Sequence, residues 1–419
     1  MSNPLKAEPG WPCCVVAGAY QTGVMLMRAL YRRGVTVYGV DHRGQMPGFH
    51  TRYADVRLCP NPDEQPEEWV NFMKKLARDI GGRPALICSA DQYVSAIAAK
   101  GGELAADYLF CESSMATQAL LATKERQYAV AGDHGLSVPR TEFLQSAEDA
   151  ASFAATARFP CLLKPLHFRE WRRDPAHPLY DRKVVTAKTP AELRELYVSA
   201  SSMAPQMMAQ EIIEGPDTAK LVYLSCYGRS GERIGSAIVK QIRTTPIHFG
   251  SASVVEPMTD EQTDRMCNQF FLSLGFRGLC EIELKRDSRD GQVKMIEANP
   301  RFSVTADAGY YAGVELGWLH YLDLIGQPVE PVAPSARNFR HIVLIRDFDT
   351  IPSYRREGLL SWKQLLSSYR PPVYFFDFDV LDPGVTIRNM REQLRLLIRP
   401  FARALFPKKQ STTANPAGR

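Results

Sequence analysis

Short apolar runs separated by helical periods fill the first 110 or so residues. The run CCVVAGA reads as a buried strand, and Thr22 to Arg33 as a helix with Val24, Leu26, Met27, Leu30 and Tyr31 near one face. VTVYGVD predicts a second strand, Trp69 to Ile80 a helix, PALICSA a third strand and YLFCES a fourth. Strand–helix–strand at this spacing implies a parallel sheet covered by helices. Ligands on such sheets bind beyond the carboxyl ends of the strands, which groups Gly18–Gly23, Asp41–Arg43 and Ser89–Tyr93 at one rim.

From residue 113 to 330 the pattern changes. A helix carrying Lys124 leads through the turn HGLSVPRT into strands at FPCLLKP, KVVTA, MMAQEIIEGPD, LVYLSCYG, ERIGSAIVKQIR, GLCEIELKRD and QVKMIEANPR, with a helix at Pro190–Ser199. This is an antiparallel-rich α+β unit. A third segment, 331–419, opens with PVAPSA. The expected organisation is a Rossmann-like parallel-sheet domain over 1–112, an α+β domain over 113–330 and a C-terminal extension.

Composition narrows the class. The chain has 419 residues, 45% hydrophobic and 23% charged, so it can bury a sizeable core. Its net charge of +5 is too mild to point to nucleic acid. The chain has no apolar run of transmembrane length, and MSNPLKAEPGW lacks the layout of a signal peptide, so the expected compartment is the cytoplasm. Nine cysteines without a CxxC read as reduced core thiols. The loop Gly18-Ala-Tyr-Gln-Thr-Gly23 lacks the GxGxxG spacing of a dinucleotide site. It reads as a structural turn or substrate-side loop, with Asp41 nearby.

Chemistry concentrates in Glu281-Ile-Glu283-Leu-Lys285, a polar turn, and Glu297-Ala-Asn299-Pro-Arg301. Two strands joined by that turn would pair antiparallel. Period-two alternation puts Glu281 and Glu283 on one face, and likewise Glu297, Asn299 and Arg301. Such hard oxygen donors suit Mg²⁺ shared with phosphates, although a solvent-facing hairpin edge would carry the same pattern. Lys164 ends an apolar strand, where a charge calls for an anion, and Lys124 precedes it by a helix and a turn. Gln210-Glu211-Ile212-Ile213 runs into the turn Glu214-Gly-Pro-Asp217, whose backbone can read an adenine edge while Asp217 accepts from a ribose.

In this order, the helix Lys, the strand Lys, the hinge, the strand Glu and the closing E-x-N-P-R resemble the ATP-grasp superfamily of ATP-dependent carboxylate–amine ligases over roughly residues 13–330. The match is nearest the D-aspartate-ligase-like and carbamoyl-phosphate-synthase-like branches. The resemblance implies a two-lobed ATP-grasp fold behind the N-terminal domain, with ATP and Mg²⁺ (or Mn²⁺) as cofactors. It implies that Lys124 and Lys164 touch the phosphates, that Gln210, Glu211 and Ile213 hold adenine, and that Asp217 holds the ribose. Glu283, Glu297 and Asn299 would ligate metal. Arg301 would face the acyl phosphate, with Lys240 and Arg243 over the γ-phosphate and the substrate carboxylate. Lys240 and Arg243 fall on opposite faces of a regular strand, so both can serve only if the strand bends or ends there. The implied reaction activates a carboxylate as its acyl phosphate and joins it to an amine. The acid, an amino acid or a cell-envelope or secondary-metabolite precursor, and the oligomeric state stay open. The alternatives are a non-catalytic nucleotide-binding or scaffolding relative and a biotin-carboxylase-like enzyme.

One departure from that pattern stands out. The segment after Lys164, HFREWRRDPAHPLYDRK, has no glycine where the family places a glycine-rich loop; Arg169, Arg172, Arg173, Arg182 and Lys183 offer a basic clamp instead. The motif DFD occurs at 347–349 and 377–379, with apolar flanks that favour turn or packing roles. Ile387, Met390, Leu394, Leu397, Ile398, Phe401 and Leu405 form a helical stripe flanked by arginines, with Pro400 as a kink. Core packing is the ordinary use of such a stripe. A basic amphipathic helix of this kind also lies on anionic membranes, which would put the protein at the inner membrane face. The tail after Phe406 is expected to be disordered.

Overall fold

A computed structural model describes residues 6–111, 115–121, 123–166, 168–180, 182–335, 337–392 and 394, without the side chains of 118, 168 and 169. The first sheet holds β1 (Cys14–Ala17), β2 (Val37–Asp41), β3 (Asp55–Leu58) and β4 (Ala85–Cys88), all parallel, in the order β3-β2-β1-β4. The Asp55–Leu58 strand lies where no apolar run announces it, because it is an edge strand with exposed ends. YLFCES, expected as a strand, contributes a single bridge between Leu109 and Ala85. The boundary expected between 112 and 113 lies outside the described residues.

The second sheet joins β5 (Thr141–Leu144), β6 (Cys161–Pro165), β7 (Val185–Ala187) and β8 (Met207–Glu211) antiparallel in the order β5-β8-β6-β7. Helices Ala147–Thr156 and Pro190–Ser201 cover one face over Phe153, Leu163, Leu193 and Met207. In the segment lacking glycine, Trp171 is fully buried in this core.

The third sheet has seven strands: β9 (Lys220–Tyr227), β10 (Arg233–Thr245), β11 (Ser251–Met258), β12 (Gly278–Arg286), β13 (Val293–Asn299), β14 (Arg340–Ile342) and β15 (Val373–Phe375). Their order is β13-β12-β9-β10-β11-β14-β15, antiparallel except for the last pair. One of its faces shares a core with the first sheet, where Leu26, Val222, Leu224, Val239, Phe302 and Trp318 pack together. Part of its other face buries Ile282, Leu284 and Met295 against Phe270 and Phe271 of helix Glu261–Leu274. β14 and β15 come from the C-terminal segment, as does helix Leu344–Arg356, which packs on β10 and β11.

Both DFD motifs serve packing. Asp347 is an ion-pair partner of Arg243, Asp377 accepts the backbone N–H groups of Leu344 and Ile345, and Asp379 pairs with Arg28 and Arg32. Residues 383–392 are helical. Val385 and Asn389 face inward, while Ile387, Met390 and Leu394 are exposed. Leu397, Ile398, Pro400, Phe401, Leu405 and the tail lie outside the described residues. Among those described, no helix is long and apolar enough to cross a membrane. None of the nine cysteines forms a disulfide among the described residues, and seven of them are buried.

Candidate active site

β12 and β13 pair in the expected way. Glu283 stands opposite Glu297 and Glu281 opposite Asn299, while Ile282 and Ala298 turn to the core on the far face. The register slips between Glu283 and Leu284, which leaves Ile296 as the extra residue of a bulge. The freed Ile296 carbonyl accepts from Tyr128 Oη at 2.7 Å. Beside it, the Gln127 side chain bonds both the N–H and the C=O of Ala298. Helix Lys124–Asp133, N-capped by Thr123, is thereby bolted to β13. Lys124 lies on the same helical face one turn earlier, and its Nζ rests 2.6 Å from Glu297 Oε2.

Lys164 projects from β6 of the other lobe into the same cleft. Burial and the neighbouring Lys124 push its ammonium down to about 7. Burial also depresses Lys220 and Lys285. With Lys183 from the glycine-free segment, five lysines line a cavity of about 310 Å³ that Glu211, Glu283 and Glu297 also face. For Glu297, burial works to raise the carboxyl but Lys124 outweighs it, so the group stays charged. Glu283 is raised, by burial and then by Glu297 across the ladder. Burial and then Glu283 push Glu281 up to about 7; it accepts hydrogen bonds from Ser303, Thr305 and Asn299.

The hinge residues divide. Gln210, Glu211 and Ile213 line the cavity. The Gln210 side chain, however, donates to Tyr128 Oη and Thr141 Oγ1 at 2.9 and 2.8 Å, and Glu211 accepts from the Arg158 N–H at 2.8 Å. These two therefore offer backbone and stem to the cavity. Asp217 does not line it; its carboxylate accepts from Tyr354 Oη and from the His248 N–H, and His248 stands between it and the cleft.

A second cavity, of about 420 Å³, opens beside the first and shares Glu283 and Ser251 with it. Asn299 and Arg301 line it, and the Arg301 guanidinium forms a two-point pair with Asp91 at the start of helix Asp91–Leu104. The rim groups of the parallel sheet come in here as well, with Arg43, Ser89 and Gln92 in its wall. Asp41 itself is buried, accepting the Ala19 N–H at 2.8 Å.

Arg243 corrects an expectation. It is buried, and its Nε and Nη2 each lie 2.7 Å from a carboxylate oxygen of Asp347, with Nη1 on Ser368 Oγ. It lines neither cavity. Lys240 also lines neither, standing opposite Glu256 of β11. The strand does bend: the register shifts between Gln241 and Arg243 and again before Thr244. The bend presents Gln241, not Arg243, to the second cavity. Of the basic residues after Lys164, Lys183 reaches the cleft, whereas Arg173 turns to the Met203 carbonyl. Lys220, Lys285, Gln241 and Arg346 escaped the sequence reading. Lys220 and Lys285, charged residues inside otherwise apolar strands, were the available signal.

No family model matches the chain. It is 22% identical to D-aspartate ligase of Enterococcus faecium over 273 residues, 61% of this chain and 62% of that protein. It is 25% identical to the carbamoyl phosphate synthase large chain of Deinococcus deserti over 182 residues, 41% of this chain and 16% of that one. The chain thus spans less than two thirds of the curated relatives it matches. Among solved structures, N5-carboxyaminoimidazole synthetase from Staphylococcus aureus complexed with ADP superposes with a TM-score of 0.63 at 14% identity, over 85% of this chain and 88% of that one. This chain's parallel N-terminal sheet and its two further sheets are an arrangement typical of such neighbours. The architecture is the ATP-grasp fold, and ATP-grasp enzymes are this chain's relatives in sequence and in structure.

Proposed function

We propose that the protein is an ATP- and Mg²⁺-dependent ligase that activates a carboxylate as its acyl phosphate and joins it to an amine. The observation that carries this reading is the opposed, half-buried pair Glu283 and Glu297 in a cleft lined by Lys124, Lys164, Lys183, Lys220 and Lys285. Two facing carboxylates, one of them raised by the other, suit a divalent cation, and converging ammonium groups suit a polyphosphate. Glu283, Glu297 and Asn299 would hold Mg²⁺ (or Mn²⁺), which when bound neutralises phosphate charge.

In this scheme the lysines bind and orient the triphosphate, and Ile213 with the backbone of Gln210 and Glu211 flanks the base. A carboxylate oxygen attacks the γ-phosphorus and ADP leaves; the amine then attacks the acyl carbon and phosphate leaves. Arg301, fixed by Asp91 in the adjoining cavity, faces the acyl phosphate and the departing phosphate. Positioning and charge carry the chemistry, so no side-chain nucleophile is required. The name of the relative D-aspartate ligase supports amide formation as the outcome.

The test is ADP and phosphate release by the full chain with paired panels of acids and amines. Release that needs both partners is expected. ADP binding without release under any pairing would favour a scaffolding role. Release driven by bicarbonate without an amine would favour a carboxylating enzyme.

A further inference from the structure

The second cavity contains two polar groups that the proposed reaction leaves unused. Arg43, Arg301 and Arg346 are the arginines in its wall. Arg43 is matched by Asp41 and Arg301 by Asp91. Arg346 donates through Nη1 to the Ala252 carbonyl at 3.3 Å, and among the described residues no carboxylate lies within ion-pair distance of it. Its backbone is held firmly. Asp377 caps the two preceding N–H groups, and the Arg346 carbonyl accepts from Thr245 Oγ1 at 2.6 Å. A guanidinium has five donors in a planar fork, so most of this one is available to a planar anion.

Gln241 is the second group. It is 1% exposed, it lines the same cavity, and its Oε1 has no hydrogen-bond partner. A buried acceptor left unmatched is costly unless a ligand supplies a donor. Gln241 stands opposite Val255, three residues along β11 from the Ala252 carbonyl that holds Arg346, so fork and acceptor belong to one wall.

We propose that Arg346 and Gln241 are specificity residues that hold the α-carboxylate and the α-amino group of an amino-acid substrate. An anion fork and a bare carbonyl acceptor on one wall match a carboxylate and an ammonium borne by one carbon. This deepens the ligase reading and rests on it: the wall lies beside the nucleotide cleft, across Ser251 and Glu283.

The experiment measures binding to the full chain saturated with MgADP. The L- and D-amino acids are screened by calorimetry, and the tightest binder is compared with its carboxamide and with its deaminated acid. Each loss is expected to weaken binding at least about tenfold. In Arg346→Ala the carboxamide should bind within about twofold of the amino acid, with partial recovery in Arg346→Lys. In Gln241→Met the deaminated acid should do so. The affinity for MgADP should be unchanged in each variant. No saturable binding of any amino acid, or wild-type discrimination kept by both variants, would overturn the assignment. Failure of the wild-type protein to bind MgADP would instead remove the ligase reading beneath it.

Discussion

Glu283 and Glu297 face each other across the β12–β13 ladder, and Lys124 lies 2.6 Å from Oε2 of the second. One carboxylate is therefore neutralised from within the protein while the other is held against it in a half-buried place, a division that leaves a local demand for positive charge.

Glu297→Gln should lower Mg²⁺-dependent phosphate release by about a hundredfold or more, the scale seen when a charge-stabilising group at a reacting centre is lost. The circular dichroism spectrum should be unchanged. Turnover at the wild-type rate would remove the metal assignment.

Lys164 gives a pH signature. In the free protein its pKa is about 7, so it is largely neutral at pH 8. A bound triphosphate favours the charged form and raises that pKa, so binding takes up a proton above pH 7. Affinity for the nucleotide should then fall as pH rises through 7, toward the pKa of the complex. Calorimetry at pH 8 in buffers of different ionisation enthalpy should show the uptake, and Lys164→Met should abolish it. Equal uptake in the variant would assign the proton elsewhere.

Arg243 and Asp347 make a structural prediction. Arg243→Met leaves Asp347 buried and unmatched by this partner, which should cost about 3–5 kcal/mol in urea unfolding. Pairing it with Asp347→Leu should recover most of that loss. If Arg243→Met abolished phosphate release while leaving stability intact, the residue would have to act at the reacting centre after all.

A Cβ at Gly23 would lie 1.9 Å from the Gly18 carbonyl oxygen. Gly23→Ala should therefore destabilise the protein by about 1–3 kcal/mol, measured by thermal or urea unfolding. This is the turn reading of the Gly18–Gly23 loop made quantitative; wild-type stability would contradict it.

The acidic hairpin is legible in the sequence because strand parity is a local rule, and Glu281, Glu283, Glu297 and Asn299 obey it up to the bulge. Lys124 and Lys164 are legible as charges in apolar surroundings. Lys240 and Arg243 mislead because the register shifts after Gln241 depend on pairing with β11, a strand that the apolar pattern does not announce. Asp217 misleads for a related reason: its partner Tyr354 is 137 residues away. Gln241 and Arg346 carry no motif at all. They line one cavity because helix Leu344–Arg356 crosses β10 and β11, a contact that no local pattern encodes.

That crossing has an evolutionary and practical corollary. The lysines that line the cleft all lie at or before residue 285, whereas Arg346 arrives on a later stretch that also supplies the last two strands at one side of the large sheet. If Arg346 holds the amino acid as proposed, exchanging this stretch between homologues should retune which amino acid is taken while sparing nucleotide binding, so chimeras spliced near residue 335 offer a natural route to new products.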